Sequence, residues 1–290
     1  MTSVGGSVLG GRWARRLTGS NVIAGLAAGY VVVLVVVAIG APVLAPHSPY
    51  ETSLMDALAP PGTAGHLLGT DSTGRDTLSR VIYGARLSLV APLGVVALSG
   101  TAGTVLGLTA ARRGGWADVL ISRAMDIVFA FPSLLLAMLA VAVFGNGLTA
   151  PVVALAVAYT PFLGRVVRSV AVQENARPYV GSYEVMGFSG FYVTYRRILP
   201  NLLPVIVAQA ALAFGYSLID LASLSYLGLG VQPPDADWGT MINQSQSDIL
   251  QGRPWSAIVP GLFILVTVIS VNIIGERLSG NVMREGTTAR

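Results

Sequence analysis

From Val22 to Ala45 the chain runs 24 residues without a charged side chain. As a helix, that is long enough to cross about 30 Å of hydrocarbon. Five further apolar runs follow: 87–111, 124–145, 148–165, 202–226 and 255–274. In lipid every backbone N–H and C=O must find a partner within the protein, so runs of this length can only be helices. Composition agrees, because only 11% of residues are charged, against roughly 25% in soluble domains. So few charges could not cover a soluble body of this size. The expected fold is an all-α integral membrane protein with six transmembrane helices. The basic start and small residues around the first run also fit a signal peptide. Its apolar core exceeds the usual ~7–15 residues of such a leader, so a retained span is expected.

Several chemistries are excluded at once. There is no Cys, hence no disulfide and no thiolate site. The two histidines, His47 and His66, stand too far apart in the chain to suggest a zinc site, so no metal is expected. All 18 basic residues are Arg. Without a Lys there is no P-loop, and any ATP hydrolysis must belong to another subunit. The arginines gather at the ends of apolar runs, as topology signals do, rather than in a nucleic-acid-binding stripe.

Along the chain, residues 1–60 form a tail and first span, and 61–290 carry the other five spans. The polar stretch 46–86 contains Gly69, Asp71 and Gly74, which favour a tight turn. It leads into an amphipathic helix marked by Leu78, Val81, Ile82 and Leu89, with Arg75, Arg80 and Arg86 left on the surface. In the second span, Gly100, Gly103 and Gly107 let a neighbouring helix approach closely. The third span starts near Ala124, placing Asp126 in its first turn, where a carboxylate suits the positive helix end; Pro132 should kink it. Gln209 and Asp220 lie in the fifth span. An intramembrane carboxylate is a candidate pathway residue, and a buried partner for Gln209 is the competing reading. Trp238 follows paired prolines and reads as an interfacial residue.

Between the fourth and fifth spans, Tyr179 to Pro204 is too polar to cross the membrane. Taken as helix, Tyr179, Tyr183 and Met186 share one face. Pro178 suits a first helical turn, and Gly187 offers a place to turn back. Either the aromatics rest on lipid headgroups, or the segment is a helix–turn–helix that seats in a groove of another protein.

Gly187 followed by Ile198-Leu199-Pro200 resembles the cytoplasmic "EAA" loop of binding-protein-dependent ABC import permeases, here about residues 171–201. Gly181-Ser182-Tyr183 stands where that family commonly has Glu-Ala-Ala, and the nearest carboxylate, Glu184, lies on another side of the helix. The strings GTDSTGRD (69–76) and LGLGVQPPDADWGTMI (227–242) are similar to segments of the dipeptide/oligopeptide class, as is Asp126 followed by Phe131-Pro132-Ser133. Those permeases often carry a Glu where this chain has Leu221, about a quarter-turn from Asp220.

The resemblance implies one permease subunit of a type I ABC importer in the plasma (inner) membrane, itself without catalytic function. It implies a second related permease, two ATPase subunits that bind ATP and Mg, and an extracytoplasmic binding protein. Tyr179, Tyr183, Glu184, Met186, Gly187, Ile198, Leu199 and Pro200 would form the ATPase-coupling loop. Dipeptides or oligopeptides would be the cargo, with nickel or another small solute as the alternative. A different class, the ion-coupled secondary transporter, would use Asp126 and Asp220 to couple ion flow.

With the N-terminus inside and six spans, fourteen arginines fall inside and four outside, as the positive-inside rule requires. Both termini and the loop around Gly187 are then cytoplasmic. Reporter fusions after residues 116, 185 and 285 should read inside, and those after 60 and 245 outside. A cytoplasmic signal at 245 would overturn the six-span order.

Overall fold

The computed structural model describes the backbone of residues 7–288 and the side chains of residues 22–278. The tail arginines Arg12, Arg15, Arg16, Arg284 and Arg290 lie outside the described side chains. Among the described residues the chain is helical and has no β-strand. Helix α1 (Ser7–Ile39) and the short α2 (Ala41–Leu44) are followed by a polar excursion to α3 (Thr77–Arg113). Then come α4 (Gly115–Phe129), α5 (Ser133–Phe144) and α6 (Thr149–Asn175). A hairpin of α7 (Pro178–Val185) and α8 (Gly190–Val193) leads through a π-helical turn into α9 (Leu199–Tyr226). Two short helices, α10 (Trp238–Gln244) and α11 (Gln246–Leu250), precede α12 (Trp255–Thr288).

Five of these helices are long and apolar enough to cross a membrane: α1, α3, α6, the continuous stretch Gly190–Tyr226, and α12. A bent pair, α4 and α5, at 79° to each other, makes a sixth when the two are counted as one span. The sequence predicts a kink at Pro132; the structure shows a break. Pro132 adopts φ −57° and ψ 127° ahead of α5. Its ring crowds the preceding turn and it has no N–H to donate, so the helix stops and restarts in a new direction. Large apolar side chains remain exposed on several spans, among them Val32, Leu93, Leu139 and Leu265. A solvated surface would not carry such a belt, whereas lipid covers it without cost.

The most extensive contact in the bundle is between α3 and α6. A β-carbon on Gly103 would stand 2.9 Å from the Gly164 backbone nitrogen, and one on Gly107 would stand 2.6 Å from the Gly164 carbonyl. Without a hydrophobic drive between helices in lipid, such backbone approach supplies the attraction. Gly100 would meet nothing within 4 Å, so two of the three expected glycines make the crossing.

One end of the bundle is closed by polar chemistry from residues 69–80. Asp71 accepts from the Thr73 amide and hydroxyl, the Arg75 amide and the Arg75 guanidinium. Burial alone would raise its pKa, but these hydrogen bonds and the charges of Arg75 and Arg80 outweigh it and hold the carboxyl below its usual value. That contribution is present above the ordinary carboxylate range and is lost as pH falls through the lowered value. Asp76 caps α3 by accepting from the Ser79 amide. Arg75 and Arg80 both donate to Gln244 of α10, at 2.9 and 2.8 Å. Arg80, expected at the surface, is only 1% exposed, because Gln244 and Asp71 meet its guanidinium. Trp238 is likewise fully buried rather than interfacial. Its indole donates to the Val81 carbonyl and its ring lies 5.7 Å from that of Phe263. The first string and the start of α3 thus meet α10, which begins within the second string, at one end of the bundle.

The glycine crossing makes a direct prediction. Gly107→Ala should destabilise the purified chain by about 1–3 kcal/mol, the usual range for overpacking, whereas Gly100→Ala should leave it unchanged. Thermal unfolding in detergent, followed by loss of monodispersity, measures both; equal effects would contradict the assignment.

Candidate functional site

The chain leaves α6 at Asn175, turns, and starts α7 with Pro178 in its first turn, as expected. At Gly187 the backbone takes φ +84°, a left-handed conformation that glycine adopts freely. A β-carbon there would meet nothing within 4 Å, so the need is conformational rather than steric. Ser189 then caps α8 by accepting from the Tyr192 amide. Val193 and Ile198 are buried against Leu108, Val167 and Val180, with Leu199 packed alongside. Pro200 opens α9 within its first turn.

The hairpin is tied to the bundle by two carboxylates. Glu174, 5% exposed at the end of α6, accepts from the Tyr179 hydroxyl at 2.8 Å and from the Asn201 amide at 2.9 Å. It also pairs with Arg177 at 2.8 Å. Burial, and then the bond to Glu174, push the Tyr179 phenol up to about 12. Glu184 pairs with Arg112 at the end of α3, 2.5 Å away. The same guanidinium lies over Gly190, where a β-carbon would come within 2.8 Å of it. Glu184 therefore fixes the hairpin to the second span.

These bonds correct the expected docking stripe. Tyr179 and Tyr183 turn toward the bundle and pack on the inner core cluster. Tyr183 also meets the Arg197 guanidinium 4.7 Å above its ring and the edge of Phe188. Only Met186 of the stripe faces outward, 61% exposed, beside Val185 at 90%, Phe188 at 41% and Phe191 at 74%. Gly181 and Ser182, at the place of the family's Glu-Ala, are exposed as well. Sequence reasoning missed the anchoring role of Glu174; its only signal was a lone carboxylate ending an apolar helix, with Arg177 three residues on.

The intramembrane polar residues do not converge. Helix α4 begins at Gly115, so Asp118 occupies its first turn and Asp126 its last, which removes the expected dipole role for Asp126. Asp126 pairs with Arg165 of α6 at 2.8 Å, and Arg165 also covers the Phe129 ring. Asp118 takes both nitrogens of Arg168, giving a second clasp between α4 and α6. Asp220 is not the partner of Gln209. Its Oδ2 accepts from Ser133 of α5 at 2.8 Å and Tyr159 of α6 at 3.0 Å, so three helices meet at one carboxylate. The histidines, in contrast, do meet. The loop after α2 brings the His47 and His66 rings to a centroid separation of 4.9 Å, beside Asp76. Distance along the chain was a poor guide, because residues 47–76 fold back onto the start of α3.

Residues 103–284 match the family described as the binding-protein-dependent transport system inner membrane component. Residues 14–61 match the N-terminal TM domain of oligopeptide transport permease C. The dipeptide transport system permease protein DppC of Alkalihalophilus pseudofirmus is 40% identical over 246 residues, 84% of this chain and 80% of the relative. The di/tripeptide transport system permease protein DppC of Pseudomonas aeruginosa is 41% identical over 254 residues, 86% of this chain and 84% of the relative. The glutathione transport system permease protein GsiD of Pectobacterium atrosepticum is 39% identical, over 87% of this chain and 84% of the relative. A solved structure of the MetNI methionine ABC transporter in an inward facing conformation shares the fold. Its TM-score is 0.50 at 20% identity, over 67% of this chain and 94% of that one. The helical bundle and these matches agree, and the chain belongs to the family of binding-protein-dependent transport system inner membrane components.

Proposed function

We propose that this chain is one permease subunit of an ATP-driven importer for dipeptides or oligopeptides, forming half of the translocation path. The observation that carries it is the hairpin: anchored inward through Glu174 and Glu184, it presents Val185, Met186, Phe188 and Phe191 outward. An apolar knob on rigid helices fits a groove in a partner protein. Two ATPase subunits holding ATP and Mg would provide that groove, and a second related permease would complete the pore. A binding protein would deliver solute at the opposite face. Both termini and the hairpin would be cytoplasmic, in keeping with the arginine distribution. Relatives named for dipeptide and di/tripeptide transport support the cargo class. Closure of the ATPases would push the hairpins, and the spans would rock so that the path opens to one side at a time. This chain carries out no bond chemistry in the cycle.

Asp220 separates this mechanism from ion coupling. Asp220→Asn keeps an oxygen that can accept from Ser133 and Tyr159, so assembly and most peptide uptake should persist. Normal assembly with complete loss of uptake would favour a charge-coupled transporter.

The exposed face of the hairpin gives the sharper test. Apolar anchors often cost about 2 kcal/mol or more on removal. Losing two should therefore weaken docking by roughly 10³-fold if the effects add. Val185→Asp with Phe191→Asp should leave the chain monodisperse in detergent, release the co-purifying ATPase and stop uptake of labelled dipeptide. Wild-type ATPase retention and uptake in this variant would refute the coupling role.

A further inference from the structure

The outer end of the bundle holds a cluster that the transport reading does not use. Helix α3 runs from Thr77, at this end, to Arg112, which touches the hairpin, so the cluster and the hairpin lie at opposite ends of one helix. His47, on the segment leaving α2, and His66, in the following loop, face the carboxylate of Asp76 at the N-terminus of α3. One ligand atom from each residue lies within 4.8 Å of the others. His66 Nδ1 is 3.0 Å from Asp76 Oδ1, and His47 Nδ1 is 3.9 Å from Asp76 Oδ2.

The geometry points to a zinc-class divalent cation site made of His47, His66 and Asp76. Tetrahedral zinc with bonds of about 2.0–2.1 Å places neighbouring ligand atoms about 3.3 Å apart. The two nitrogen–oxygen separations, which run to different oxygens of Asp76, lie on either side of that value, and the three ligand atoms, within 4.8 Å of one another, would draw together around the ion. A second, independent observation is the state of His47: its Nδ1 is buried and has no hydrogen-bond partner. A buried ring nitrogen without a partner calls for an occupant, and here it faces a carboxylate too distant for a direct hydrogen bond.

The surroundings orient the ligands as outer-shell groups do. The Ser79 amide and hydroxyl both donate to Asp76 Oδ2, and the Ser79 hydroxyl accepts from the His47 amide. One residue thus sets both a carboxylate and the backbone of a histidine. On binding, zinc would take the place of the hydrogen bond between His66 and Asp76, and the His47 ring would close on the ion. His47 is 38% exposed, so an ion has a way in and a water can complete the fourth position. Two imidazoles and one carboxylate suit zinc and its neighbours in the first transition row, not magnesium. The bound ion would pin the chain after the first span to the start of α3.

The chain has only these two histidines, so a histidine-free purification tag gives a clean background. The full-length chain, chelator-treated and in detergent, is titrated with Co2+ and then with Zn2+. One equivalent of Co2+ should produce visible d–d absorption that Zn2+ displaces, while Mg2+ does neither. His47→Ala and His66→Ala should each lower Co2+ affinity by about 100-fold or more, beyond the 10–100-fold typical of outer-shell changes. His47→Ala leaves the His66–Asp76 bond intact, so it keeps the comparison valid if His66→Ala fails to fold. Wild-type binding no tighter than that of His47→Ala would overturn the site. So would an absence of stoichiometric Co2+ absorption.

Discussion

A single buried carboxylate sets the geometry on which the rest depends. Glu174 ends α6, and its two oxygens are shared by Tyr179 of the hairpin, Arg177 between them and Asn201 at the start of α9. Hydrogen bonds to a charged group contribute about 1.5–3 kcal/mol each where they are well formed. Here they join two spans and the segment between them at one point. Glu184 adds a third span through Arg112. Helix α7 is therefore tied to α3, α6 and α9 at once. The π-helical turn from Thr194 to Ile198 makes the last part of the hairpin continuous with α9. A loop held by backbone alone would absorb a push; one tied in this way would transmit it.

Within the membrane the logic differs. Apolar side chains cannot distinguish a neighbouring helix from lipid, so the bundle is specified by close backbone approach and by a few polar clasps. Gly103, Gly107 and Gly164 supply the first. Asp118–Arg168, Asp126–Arg165 and Asp220 with Ser133 and Tyr159 supply the second, and all of them involve α6. The bent pair α4–α5 is held to α6 on both sides of its break. At the end away from the hairpin, Asp71, Asp76, Gln244 and Trp238 close the structure with a buried polar network. The bundle is thus braced by charge at both ends and by glycine in between.

Much of this was legible in the sequence, and the exceptions are instructive. The spans could be read because long runs with at most one charged side chain are a property of composition, needing no knowledge of neighbours. The turn at Gly187 could be read because positive φ is a local demand. The strings at 69–76 and 227–242 identified the family, but their mutual contact is tertiary, and Arg80 and Trp238 were misplaced as a result. The facing of α7 was misread because apolar residues surround it. Tyr179, Val180 and Tyr183 pack inward while Val185 and Met186 project, and periodicity cannot decide between two apolar sides. Pro132 announced an interruption, but the 79° bend depends on what α4 and α5 pack against. The bonds of Glu174 to Tyr179 and Asn201 and the pairing of His47 with His66 left no spacing signal, since each depends on a chain reversal.

The central claim is that the outward face of the hairpin, and not its tyrosine side, meets the ATPase. The chain contains no Cys, so single cysteines can be placed without background. Phe191→Cys, Val185→Cys and Tyr179→Cys variants, assembled with the co-purifying ATPase and treated with a short thiol-to-amine cross-linker, test it directly. The account predicts cross-links to the ATPase from positions 185 and 191 and none from 179. Cross-linking from 179 alone, or from none of the three in an assembly that still transports, would contradict it.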